Sequence, residues 1–157
     1  MGTAYFTIAL LAALMLLLLS CGIEDARQRT IANWKNAAIA LLAPCWWWAN
    51  GLALWPDMAF QLGVALFVFA LFVGAFALGQ MGGGDVKLIG ALALWLPLQP
   101  LTWMLIVMSI AGGVLTIVML ADHKWRRATG PMETPYGVAI AIAGFVSLRE
   151  PLFNPFT

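Results

Sequence analysis

Charged side chains are scarce in this sequence. Of the 157 residues, only 10% are Asp, Glu, Lys or Arg, whereas 63% are hydrophobic. A soluble domain carries about 25% charged residues, and a water-soluble fold of this length could not hide so much apolar surface. The formal net charge is +1, which gives no long-range attraction for nucleic acid. The composition therefore predicts an integral membrane protein without a nucleic-acid partner.

Cysteine and histidine, the residues that most often hold metals, are also rare. The two cysteines, Cys21 and Cys45, form no CxxC pair, and the single histidine, His123, lies in a basic loop without ligand partners. We interpret the cysteines as small apolar packing residues. The sequence therefore predicts neither a metal site nor a cofactor.

Six apolar segments are separated by polar or Gly/Pro breaks. A membrane-spanning helix needs about 20 mainly apolar residues, so the fourth and sixth segments are short. No Lys or Arg precedes Arg27, which favours a retained first helix over a cleaved signal peptide. We expect an all-α polytopic membrane protein of about six helices, with residues 1–157 as one membrane-embedded domain. The segments are Ala4–Cys21, Asn36–Trp55, Met58–Leu78, Val86–Leu98, Leu101–Leu120 and Tyr136–Leu148.

The basic residues fall almost entirely in alternate connections between these segments. The positive-inside rule places the connections that contain them in the cytoplasm. Trp46, Trp47, Trp48, Trp55, Trp95 and Trp103 cluster towards one set of helix ends, as interfacial anchors do. All the basic residues except Arg149 are predicted to be cytoplasmic, namely Arg27, Arg29, Lys35, Lys87, Lys124, Arg126 and Arg127.

One acid, Asp85, follows three glycines in the segment Gly82–Leu88, where the fourth apolar helix begins. Irregular backbone in a membrane protein must be buried in protein or face water, and an ionisable residue there is a functional candidate. The alternative is a flexible loop whose acid caps the positive end of a helix.

A second acid, Asp25, is expected just past the first helix, on the same cytoplasmic side. By itself it could be a solvated loop charge paired with Arg27 or Arg29. If Asp25 and Asp85 converge, however, they can share a proton, because two neighbouring carboxylates do not both ionise cheaply. One carboxylate could then activate water while the other polarises a peptide carbonyl. The pair predicts peptide hydrolysis without a metal.

Three separated motifs resemble the type IV prepilin peptidase family, a group of GxGD-type membrane aspartyl proteases. Asp25, followed by Ile31 and Asn33, resembles the family's first aspartate motif, although Ala32 stands where the family usually has proline. Gly82–Leu88 matches the GxGD motif with its following Lys-Leu, and Pro135–Ala139 resembles the stretch that opens the family's last helix.

The resemblance implies a GxGD-type helix bundle that acts as an aspartic endopeptidase in the bacterial inner membrane. It would remove the short basic leader of a prepilin or pseudopilin at the cytoplasmic face, and the pilus assembly machinery is a further candidate partner. Asp25 and Asp85 would be catalytic. The residues expected to support the site or contact substrate are Gly82, Gly84, Lys87, Asn33, Pro135, Tyr136 and Gly137.

The long members of this family carry a cytoplasmic region with two CxxC pairs and also methylate the new N-terminus. Because this chain has no CxxC, it resembles the short subfamily that serves Flp-type (tight-adherence) pili, and we expect no N-methyltransferase activity. Two alternatives remain open. One is a preflagellin-type peptidase of the same mechanism, and the other is a transporter or assembly factor without enzymatic activity.

Overall fold

The computed structural model describes residues 2–126 and 135–148. The regular elements of the described chain are all helices, and these two ranges contain no β-strand. Within residues 2–126 the α-helices are connected by short loops and by a π-helical segment over Leu54–Met58 that is extended at Trp55. The helices are α1 (Gly2–Gln28), α2 (Asn33–Ala49), α3 (Ala59–Ala77), α4 (Gly83–Ala93), α5 (Leu98–Arg126) and α6 (Tyr136–Ser147).

The all-α membrane architecture expected from the sequence is confirmed. Three helical stretches are long and apolar enough to cross a bilayer: Ala4–Gln28, Leu54–Ala77 and Leu98–Asp122. The other helices, α2, α4 and α6, contain 17, 11 and 12 residues. They lie on the predicted segments but are shorter than a full span, so six crossings remain a prediction.

Helix α1 continues beyond its predicted end at Cys21, and the placement of Asp25 just past the helix was wrong. Asp25 belongs to the last turn of α1. No proline interrupts the polar continuation, which contains residues that form helices well. The helix ends where Arg29 adopts a left-handed backbone with φ of 56°, and the Arg29 N–H donates to the Asp25 carbonyl at 2.9 Å.

Helices α2 and α4 end earlier than predicted. The predicted second segment ran to Trp55, but α2 stops at Ala49, and Gly51 then turns the chain with φ of 71°. The predicted fourth segment ran to Leu98, but α4 stops at Ala93. Apolar composition continues through both ends, so hydropathy alone does not mark them.

Helix α4 lies in the interior of the bundle and packs against α2, α3 and α6. Its side chains Leu88, Ile89 and Leu92 are fully buried. Helix α6 in turn packs against α1 and α5. This arrangement places the beginning of α4 and the beginning of α6 close to the end of α1.

The sequence predicted that the tryptophans are interfacial anchors, but three of them are buried inside the protein. Trp46 and Trp95 are buried with their ring centroids 5.6 Å apart, and Trp47 is buried as well. Two of the three donate an indole N–H into the bundle: Trp95 to the Ile39 carbonyl and Trp47 to the Leu94 carbonyl. The buried rings serve helix packing because they lie between α2 and α4 rather than on the outer surface.

Several of the basic residues used to predict orientation lie outside the described residues. They are Arg127 and Arg149, together with the side chains of Lys124 and Arg126 and of the neighbouring His123. Lys35, which was predicted to lie in the first connection, is instead a buried residue of α2.

Candidate active site

Asp25 lies where the end of α1 meets the beginning of α6, and only 4% of it is exposed. The backbone amides of Gly137 and Val138 lie close enough to act on its carboxyl group. Amides at a helix N-terminus carry partial positive charge and favour a carboxylate there. Oδ2 of Asp25 is buried and has no hydrogen-bond partner among the described residues. This oxygen therefore has an unused acceptor position.

Gly137 lies directly against this carboxyl group. A Cβ atom at position 137 would lie 2.7 Å from Cγ of Asp25 and 2.8 Å from its Oδ2. These separations are shorter than any normal van der Waals contact. Glycine is therefore required at position 137 for Asp25 to hold its position.

Asp85 lies in the first turn of α4 and is 7% exposed. Gly82 caps this helix with extended backbone, and a Cβ there would lie 3.1 Å from Oδ2 of Asp85. Asp85 lies outside the three long apolar stretches. The pKa of Asp85 is raised to about 7: burial is the largest cause, the charge of Asp25 also raises it, and the hydrogen bond from the Gly82 amide lowers it.

The two predicted acids therefore come together although they lie on different helices. Their carboxyl groups are close enough for the charge of Asp25 to act on Asp85. Each lies near the positive end of a helix, Asp25 at α6 and Asp85 at α4. Such a pair can hold one proton between two buried carboxyl groups. The catalytic role of both residues remains a prediction.

Gly84 faces the loop between α1 and α2. A Cβ on Gly84 would lie 3.3 Å from Cβ of Ile31, and the Gly84 carbonyl accepts a hydrogen bond from Nδ2 of Asn36 at 3.2 Å. Room for a substrate segment was expected at Gly82 and Gly84. In the structure, Gly84 packs against Ile31 and Gly82 packs against Asp85.

Lys87 and Asn33 form a pair of their own. Nζ of Lys87 donates to Oδ1 of Asn33 at 2.8 Å, in an exposed position. Both line a mainly apolar groove of about 460 Å³ between α2, α3 and α4. The pair links the first turns of α2 and α4 beside the acids.

Pro135 and Tyr136 begin α6, as the sequence predicted. The Pro135 carbonyl accepts the N–H of Val138 at 3.2 Å. The Tyr136 ring packs on α5, where a Cβ on Gly112 would lie 2.8 Å from its Cε1 atom. These two residues fix the beginning of α6, which carries Gly137 to Asp25.

Sequence reasoning missed a polar network next to the acids. Lys35, Asn36, Ser20 and Glu24 link α1, α2 and the glycine segment through hydrogen bonds and one ion pair. The available signal was the position of Lys35 and Asn36 at the start of an otherwise apolar helix. Buried polar residues of this kind need partners.

Comparison with known proteins finds relatives in one family. Residues 12–117 match the model of the type IV leader peptidase family. Over 141 residues the chain is 29% identical to a prepilin leader peptidase/N-methyltransferase of Pseudomonas aeruginosa, which covers 83% of this chain and 46% of that protein.

A prepilin leader peptidase/N-methyltransferase of Stutzerimonas stutzeri is 40% identical over 68 residues, which cover 43% of this chain and 22% of that protein. The chain thus spans about half the length, or less, of the curated relatives it matches. No solved structure matches it.

Proposed function

Because this chain belongs to the type IV leader peptidase family, we propose that it is a membrane aspartic endopeptidase that removes the short basic leader of prepilins or pseudopilins. The observation that carries the proposal is the meeting of two buried carboxyl groups, Asp25 from α1 and Asp85 from α4, within electrostatic range. Two such carboxyl groups can hydrolyse a peptide bond with water alone.

The raised pKa of Asp85 supports the following division of roles between the two acids. Asp85 holds the shared proton near neutral pH and donates a hydrogen bond to the carbonyl oxygen of the scissile peptide. Asp25, held at the amides of α6, takes a proton from water as the water oxygen bonds to the carbonyl carbon. The tetrahedral intermediate then collapses, the C–N bond breaks, and the proton on Asp25 passes to the leaving nitrogen. Both residues return to their starting states in this cycle.

We place the site at the cytoplasmic face of the inner membrane. Arg27 and Arg29 follow Asp25 closely in the sequence and Lys87 follows Asp85, and basic connections face the cytoplasm. The leader of a prepilin precedes its apolar helix and would lie at the same cytoplasmic face. The proposed reaction uses no metal.

The test is leader cleavage by the purified, lipid-reconstituted protein on a candidate prepilin. Asp25→Asn and Asp85→Asn are each expected to lower kcat by at least about 1,000-fold, because each removes one proton-transfer group. Asp57→Asn, at the other end of the bundle, is the matched control and is expected to retain activity. Full activity in either site variant would remove that residue from the mechanism.

The same assay examines the finer parts of the proposal. Chelation of divalent metals is expected to leave the rate unchanged. The released pilin is expected to carry an unmethylated N-terminus when a methyl donor is supplied. Cleavage of a preflagellin in preference to every prepilin offered would reassign the substrate without changing the chemistry.

A further inference from the structure

The first turn of α2 bridges the two helices that carry the acids. Towards α4, Nδ2 of Asn36 donates to the Gly84 carbonyl, one residue before Asp85. Towards α1, Nζ of Lys35 donates to Oγ of Ser20 at 2.6 Å and forms an ion pair with Oε2 of Glu24 at 2.8 Å. Successive residues of a helix point about 100° apart, so the two neighbours reach different helices.

Glu24 binds the intervening loop with the same oxygen. Oε2 of Glu24 accepts the backbone N–H of Ala32 at 3.3 Å in addition to the Lys35 ammonium. This hydrogen bond therefore links the loop to the end of α1. Ile31, the residue before Ala32, is buried against Gly84.

These contacts form a continuous connection from one acid to the other. It runs from Asp25 to its neighbour Glu24, through Ala32 and Ile31, to Gly84 and its neighbour Asp85. Lys35 is only 8% exposed, so its charge needs Glu24 as a partner. A shift of the loop would move the backbone that carries Asp85.

We propose that Glu24 and Lys35 are positioning residues that fix the separation of Asp25 and Asp85 through the loop between α1 and α2. This inference rests on the proposed function for its catalytic consequence. Neither residue needs to touch the substrate. A displacement of about 1 Å between reacting groups can cost about 100-fold in rate.

Ala32 offers a specific probe of this connection. Its φ of −61° and ψ of 129° suit proline, whose ring fixes φ near −65°. Ala32→Pro removes the N–H that Glu24 binds and stiffens the loop by a covalent ring instead. The proline ring would also occupy the space beside the Glu24 oxygen. Ala32→Pro is therefore combined with a substitution that removes the Glu24 side chain.

The experiment compares Glu24→Ala/Lys35→Met with the same variant carrying Ala32→Pro. The double variant removes both charges, which avoids leaving one of them buried alone. We expect its kcat for prepilin cleavage to fall roughly 10- to 100-fold, with KM changed less than about twofold. Ala32→Pro is expected to restore most of the lost kcat, which loss of fold stability alone would not predict.

Two further variants complete the design. Glu24→Gln keeps an acceptor for Ala32 and is expected to lose less kcat than the double variant. Asp57→Ala removes an equivalent bond to a backbone amide, that of Ala53, far from the acids, and is expected to retain kcat. Unchanged kcat in the double variant, or no recovery with Ala32→Pro, would overturn the proposal.

Hydrogen exchange in the same purified proteins separates this inference from the proposed function. The backbone amides of residues 82–86 are expected to exchange faster in the double variant and to recover protection with Ala32→Pro. If the wild-type protein cleaves no prepilin, the proposed function fails while this readout still decides the positioning role. Unchanged exchange at residues 82–86 in the double variant would overturn the positioning role itself.

Discussion

At the scale of single residues, the contact between Gly137 and Asp25 sets the tightest constraint on the site. We predict that Gly137→Ala lowers cleavage roughly 100-fold, because the added methyl group displaces the Asp25 carboxyl. The fold should persist, since alanine favours a helix more than glycine does. The measurement is kcat together with the thermal unfolding midpoint in detergent.

Gly113→Ala in α5 is the matched control for this change. A Cβ at position 113 has no neighbour within 4 Å, so kcat is expected to stay near the wild-type value and the unfolding midpoint to stay the same or rise slightly. Equal activity in Gly137→Ala and Gly113→Ala would show that the position of Asp25 tolerates displacement.

The protonation of Asp85 predicts a pH dependence of stability. An unfolded aspartate has a pKa of about 3.9, whereas Asp85 in the folded protein has a pKa raised to about 7. The folded state therefore binds the extra proton between these values. The resulting stabilisation is full below about pH 4 and is lost as the pH rises through about 7.

Thermal unfolding of the wild type and Asp85→Asn from pH 5 to pH 9 measures this effect. The wild type is expected to lose stability relative to the variant as the pH rises, because asparagine does not ionise. Cleavage by the wild type should also decline by about tenfold per pH unit above pH 7, where the proton donor is lost. A constant difference between the two unfolding midpoints would contradict the assignment.

The two acids could be predicted from the sequence, but their supporting network could not. Asp25 and Asp85 are conspicuous because each interrupts or ends an apolar segment on the same membrane side. The partnership of Glu24 with Lys35 depends on α1 remaining helical beyond Cys21 and on α2 beginning before Asn36. Both boundaries differ from the predicted ones, so the contact was not visible in the sequence.

At the scale of helices, the end of α4 depends on a side chain from α3. Nε2 of Gln61 donates to the Ala93 carbonyl at 2.7 Å and to the Leu96 carbonyl at 2.6 Å. These bonds satisfy carbonyls at the end of α4, where the helix cannot provide partners. Gln61 is 5% exposed, so water does not readily replace it.

We predict that Gln61→Ala lowers the free energy of unfolding by about 1–3 kcal/mol, since it leaves two buried carbonyls without this donor. Denaturant titration of the purified protein in detergent measures the change. Gln80→Ala makes the same substitution in an exposed turn and is expected to stay within about 0.5 kcal/mol of wild type. Equal stability in the two variants would show that other donors bind the Ala93 and Leu96 carbonyls when Gln61 is absent.

The helices illustrate what an apolar pattern can predict and what it cannot. The pattern located every described α-helix, because apolar segments separated by polar breaks indicate helices in lipid. It placed the end of α1 too early, because a polar helical turn looks like a loop. It placed the end of α4 too late, because the bonds from Gln61 come from a distant part of the chain.

At the scale of the whole molecule, the distribution of basic residues predicts orientation. The turn at Gln80 precedes α4 and should face the cytoplasm, whereas Leu54, in the π-helical segment, should face the other side. With Cys21 and Cys45 replaced, Gln80→Cys is expected to react with a membrane-impermeant thiol reagent only in inside-out vesicles. Leu54→Cys should react only in intact spheroplasts.

The reversed labelling pattern would place the acids on the opposite face and remove the proposed access to a cytoplasmic leader. Composition alone identified the membrane class, because so few charges cannot solubilise so much apolar surface. Composition could not establish the number of crossings, since α2, α4 and α6 are shorter than the segments that suggested them.

The shortness of α4 bears on the depth of Asp85. At 1.5 Å per residue, the 11 residues of α4 extend roughly 16 Å, about half of a 30 Å hydrocarbon layer. Because α4 packs against α2, α3 and α6, neighbouring helices rather than lipid surround it, and it does not have to match the thickness of the bilayer. The protein, rather than acyl-chain length, then sets how deeply a membrane-anchored peptide must enter before its hydrated end reaches Asp85.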